Sequence, residues 1–107
     1  MKKQKYRVFR PHSREKLVSF LDNLFSRTPR DHYIVKLPPE TFTQEMLGEI
    51  LRPFQSKIEW YKKEKSIIFV LPDYDPDEIP EFIGIAPTEL EASDMIDFEE
   101  IERELGF

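Results

Sequence analysis

The stretch SIIFVL, residues 66–71, constrains this chain most. Successive strand residues point to opposite sides of a sheet, so an unbroken apolar run needs cover on both faces. That is the situation of a strand in the middle of a parallel sheet. Parallel neighbours in turn need crossover connections, usually helical. Two segments upstream and one downstream have helical periodicity, and two further segments upstream read as strands.

YRVFR (6–10) alternates and reads as a strand that Pro11 ends. HSREKLVSFLDNLFSR follows, with Ser13 as N-cap and Leu17, Phe20, Leu21, Leu24 and Phe25 on one helical face. HYIVKL (32–37) is a second strand, stopped by Pro38-Pro39. In TFTQEMLGEILRPFQSKIEWYKK, Thr41 followed by Gln44 has the form of a capping box. Leu47, Ile50, Leu51, Phe54, Ile58 and Tyr61 then keep helical spacing through Pro53, which predicts one kinked helix over about 42–62. A competing reading ends that helix near Arg52 and makes KIEWY (57–61) a strand, hairpinned through KKEK to SIIFVL. FIGIA (82–86) is a short last strand, and Pro87 and Thr88 open the final helix with a second capping box, Thr88 with Glu91. The order is β-α-β-α-β-(β)-α. The expectation is one α/β domain over residues 1–107, with a small, mostly parallel sheet and packed helices.

The chain has 107 residues, 39% of them hydrophobic and nine of them Phe, enough for one real core. It has no cysteine, which removes disulfide and thiolate chemistry. MKKQKYRVFR is basic but no apolar signal core follows it, and no run reaches the length of a membrane helix, so a cytoplasmic protein off the membrane is expected. Charge is split along the chain. Residues 1–65 hold 15 Lys/Arg and 8 Asp/Glu, net +7, whereas residues 66–107 hold 1 and 13, net −12. The halves are expected to neutralise one another across the surface. The basic half, with KKQKYR, Arg10 and Arg14, also allows the alternative of a nucleic-acid-associated accessory factor. The pI near 5.1 argues against nucleic acid as partner.

No catalytic constellation emerges, so a non-enzyme is expected. LPDYDPDEIPE (71–81) opens like a calcium loop, with Asp73, Asp75 and Asp77 alternating. Its sixth and twelfth positions are Glu78 and Gly84, where an EF-hand needs Gly and a bidentate Glu. A turn leading into a short helical PDEIP is the expected structure. His12 and His32 stand alone and do not pair as zinc ligands. No serine has the surroundings of a hydrolase nucleophile, and three glycines form no phosphate cradle. Neither a metal nor a cofactor is expected. His12, just before a helix N-terminus, could hold an anion together with Arg10 and Arg14.

The tail GIAPTELEASDMIDFEEIERELGF resembles that of a group of small Bacteroidetes proteins in which a strand ending in VPT leads into a helix and a terminal MEEIERDLGF. Here Phe98 replaces the Met and Glu104 the Asp, and over residues 1–65 only the order of elements is alike. Some STAS domains of the anti-sigma-factor-antagonist type carry a similar tail. The resemblance implies a STAS-like α/β fold with helices mostly on one side of the sheet, and a role in protein–protein switching. The family's Asp-x-Ser-Ser phosphoacceptor has no counterpart: its place is LPPETFTQEM, with Thr41 and Thr43.

The final helix carries two apolar stripes at about 100° per residue. Ala92, Met95 and Ile96 form one, and Phe98, Ile101 and Leu105 lie on roughly the opposite side. One straight helix cannot bury both against one sheet. Either a bend near Asp97 folds the tail back onto the body, or residues 98–107 dock on another protein or a second copy. The candidate docking residues are Phe98, Ile101, Arg103, Leu105 and Phe107. The function expected is therefore a non-catalytic protein-interaction or regulatory module.

Overall fold

A computed structural model describes residues 5–106 of the chain. The elements are β1 (Tyr6–Phe9), α1 (Arg14–Leu24), β2 (His32–Lys36), α2 (Gln44–Leu51), α3 (Gln55–Lys62), β3 (Ile67–Val70), β4 (Gly84–Ala86) and α4 (Glu89–Glu104). The fold is α/β. Its four strands form one sheet in the order β1-β2-β3-β4, every pairing parallel. β3 is buried on both faces, as its unbroken apolar run requires.

Each crossover moves one strand along the sheet in the same direction, and parallel crossovers share one hand, so α1 and the α2–α3 pair land on the same face. There Leu17, Leu21, Leu47, Leu51, Ile58 and Tyr61 pack on Val35, Ile67, Phe69 and Ile85. Phe20 stacks on Phe9 at a centroid distance of 4.2 Å and meets Tyr33 edge-on. Burial pushes the phenol pKa of Tyr61 far up, and its hydroxyl donates to the carbonyl of Asp31. α4 takes the opposite face, with Ala92 and Ile96 on Ile34, Ile68, Val70 and Ala86.

Residues 44–62 are helical, not a hairpin, so the helix starts two residues later than the spacing predicts, and Pro53 divides it. α2 ends at Leu51, a 3-10 turn spans Arg52–Phe54, and α3 starts at Gln55. Proline lacks the N–H that would continue the ladder, yet fits the first turn of a new helix. The start of α2 corrects the capping expectation. Thr43, not Thr41, is the N-cap, and its Oγ1 accepts from the Met46 amide at 3.1 Å. Phe42 is buried, so the chain reaches the core before it turns helical. Gln44 is then free to pin the loop after β3, donating to Glu78 and accepting from the Asp75 amide, both at 2.7 Å.

That loop contains the expected short helical turn, Pro76–Glu78, capped by Asp75. Asp73 reverses the chain at φ 59°. The last strand is shorter than FIGIA: Phe82 and Ile83 are buried but precede the ladder. A Cβ on Gly84 would lie 2.9 Å from Ile68 Cδ1 and 3.2 Å from the Ile67 carbonyl, so glycine lets β4 close on β3. Among the described residues no helix is long and apolar enough to cross a membrane.

Candidate functional site

α4 lies over the sheet from its carboxyl edge to its amino edge, and three sets of contacts fix it. At its start Thr88 caps it, accepting from the Glu91 amide at 3.2 Å, while the Thr88 hydroxyl donates to the Glu91 carboxylate. Glu89 receives the Tyr6 hydroxyl at 2.7 Å and Lys36 Nζ at 3.1 Å. Those two bonds hold the Glu89 carboxyl below its ordinary range, the Tyr6 bond foremost, and the same bond raises the Tyr6 phenol. Midway, Lys5 Nζ meets Asp97 at 2.6 Å. The Lys5 and Lys36 pairs join the basic and acidic halves of the chain, the complementarity expected of its charge split.

The third set sits at the amino edge. His32 Nδ1 accepts from the buried Ser66 amide at 2.9 Å, so its proton resides on Nε2, which faces Glu100 at 3.2 Å. The Ser66 hydroxyl donates to Glu99 and accepts from Arg103 Nη2 at 2.7 Å. Arg103 Nε donates to the Lys62 carbonyl at 3.1 Å. The backbone of Ser66, not its hydroxyl, meets His32, so the pair lacks the arrangement of a serine nucleophile and its base. Sequence reasoning missed this cluster. Its only traces were a lone Arg among acids four residues after Glu99, and a serine just ahead of a buried strand.

The structure divides the candidate docking residues. Arg103 points inward, with 19% of its side chain exposed, and belongs to the anchor. Phe107 lies outside the described residues. Phe98, Ile101 and Leu105 are 69%, 54% and 65% exposed, and Leu90, which the sequence reading passed over, is 73% exposed. All four fall within one side of the helix at about 100° per residue. Asp94, Asp97 and Glu102 are exposed among and beside them. The helix runs unbroken past Asp97, so no bend folds the tail back. Gly106, at φ 83°, ends it in the left-handed conformation glycine favours.

The candidate anion contacts are also divided. Arg10 and His12 line one cleft of about 400 Å³ together with Lys36, Leu37, Pro38, Pro39, Glu40, Val70 and Pro72. Arg14 opens α1, is exposed, and does not line it. Ser13 caps α1 as expected, accepting from the Lys16 amide at 3.2 Å. The acids of the loop at 71–81 serve the loop itself, with Asp75 accepting from the Asp77 amide at 3.0 Å and Glu78 held by Gln44. Compared with known proteins, the chain matches no family model, no curated protein and no solved structure.

Proposed function

We propose that the chain is a non-catalytic, cytoplasmic protein-interaction module that docks through the outer face of α4. One observation carries the reading: Leu90, Phe98, Ile101 and Leu105 are all more than half exposed on one side of a helix whose other side is already committed to the sheet. Rotating α4 to bury them would expose Ala92 and Ile96 and break the Ser66–Glu99–Arg103 anchor. Each large apolar side chain gains about 1.5–3 kcal/mol on full burial, and contiguous exposed apolar rows mark interaction sites. Asp94, Glu102 and Glu104 are exposed beside the row and enter no ion pair among the described residues, so the partner is a protein surface with an apolar strip bordered by Lys or Arg. The resemblance of the tail to STAS-like proteins supports a regulatory role for such docking.

The test is the triple substitution Phe98→Ser, Ile101→Ser, Leu105→Ser. Deleting 98–107 would also remove Glu99, Glu100 and Arg103 contacts or their frame, and so confuse docking with folding. The triple variant is expected to melt with the parent protein. The parent should bind an amphipathic helical peptide with a Leu stripe flanked by Lys. It should ignore the same peptide with Glu in place of Lys, and the variant should bind neither. Sedimentation showing a parent dimer and a monomeric variant would replace the basic partner with a second copy. Early melting of the variant would show that the face is part of the fold and end the proposal.

A further inference from the structure

We infer that the cleft at the carboxyl edge of the sheet is a binding site for a small monocarboxylate with an apolar body. This site is separate from the outer face of α4 and does not depend on the docking reading. Side chains alternate along strands. In the ladder Lys36 stands beside Val70 and Val70 beside Ala86, on the α4 side of the sheet with Ile34 and Ile68. Arg10, two residues beyond Val8 on β1, extends that row, since Val8 pairs with Ile34. α4 begins at Glu89 and packs chiefly on β2, β3 and β4, and the end of the edge strand β1 lies at the corner beside its start. The cleft occupies that corner.

The lining specifies the chemistry. Leu37, Pro38, Pro39, Val70 and Pro72 give an apolar floor. Proline has no N–H, so three floor positions offer water no backbone donor and present rigid ring carbons instead. The polar groups are Arg10, His12, Lys36 and Glu40. Lys36 already holds Glu89, which fixes the ammonium in place and uses one of its three donors. No ion pair engages Arg10 among the described residues. A guanidinium fork takes a carboxylate in two parallel hydrogen bonds. Lys36 is held by Glu89, on which the charge of Arg10 also acts, and Glu40 is the one carboxylate in the lining. The two cations and two carboxylates leave no surplus of positive charge, so the cleft does not favour a polyanion, and a single carboxylate is held by the open guanidinium donors of Arg10 together with the apolar floor. At about 400 Å³ the cleft matches a small organic molecule.

The experiment is an amide-resolved NMR titration of the full chain with octanoate and benzoate, with benzyl alcohol and inorganic phosphate as controls. Saturable shifts are expected at Arg10, His12, Lys36, Leu37, Glu40 and Val70 with the carboxylates. Benzyl alcohol should bind at least about tenfold more weakly, as loss of a charge-assisted pair implies. Arg10→Gln should melt with the parent and weaken octanoate by about tenfold or more, while Glu40→Gln should strengthen it. The inference is overturned if the carboxylates leave these amides unmoved, or if Arg10→Gln binds them as the parent does. Inorganic phosphate reproducing the shifts at equal concentration overturns it too, because the apolar floor would then contribute nothing.

Discussion

The two faces of the sheet are built to different standards. One is covered by α1, α2 and α3 and by the loop after β3, and its core joins buried residues from all of them. The other is covered by one helix, with Ile34, Ile68, Val70, Ala86, Ala92 and Ile96 as its buried set. A face with three helical segments has each apolar stripe facing its neighbours and leaves little to offer a partner. A face with one helix leaves that helix's outer side in solvent and a corner of the sheet open. The thin face accordingly carries both the apolar row on α4 and the cleft lined by Arg10 and Lys36. It also carries the polar ties, because six apolar residues alone hold a long helix weakly. Tyr6, Lys36, His32 and Ser66 all reach α4 from the sheet.

The comparison can be broken by core truncation. Phe69→Ala on the thick face is expected to cost about 3–5 kcal/mol, and Ile96→Ala on the thin face about 2–5 kcal/mol. Both are read as shifts in the denaturant midpoint. An Ile96→Ala protein as stable as its parent would mean that α4 is not packed on the sheet at all.

Arg103→Ala sharpens the role of the polar ties. It leaves Glu99 without its cation and the Ser66 hydroxyl with one bond fewer, and is expected to cost about 1.5–3 kcal/mol. Protection of the α4 amides from hydrogen exchange should fall most beyond Ile96. Uniform loss over the whole helix would show that the anchor is not local.

Smaller effects separate the caps. Thr88→Ala and Thr43→Ala should each cost about 1 kcal/mol, the usual loss for an N-cap, and Thr41→Ala should cost less than either. Equal losses at 41 and 43 would return the cap of α2 to its sequence-based position.

The smallest effect is electrostatic. Glu89 has a folded-state pKa below its ordinary value. Its contribution is therefore present above the ordinary carboxylate range and is lost as pH falls through the depressed folded value. Glu89→Gln should narrow the difference in stability between neutral and acid solution. An unchanged acid transition would show that the Tyr6 and Lys36 contacts do not bias its ionisation.

The sequence by itself determined the order of elements and the parallel sheet, because the periods of apolar residues are local properties of the chain. It determined the caps at Ser13 and Thr88 for the same reason: a hydroxyl meets an amide three residues on. It also required that α4 have two apolar stripes, since that follows from spacing alone. Tertiary structure decided the rest. Thr43 caps α2 because Phe42 is drawn into the core first, which no local pattern records. Arg103 turned from a supposed docking residue into an anchor because Ser66, far away in the chain, lies beneath it. Arg10 and His12 share a cleft with Lys36 because β1 and β2 end side by side, whereas Arg14 is carried off by the first turn of α1. Contacts between residues distant in sequence depend on register and on which face a helix takes, and those are settled only when the whole core closes.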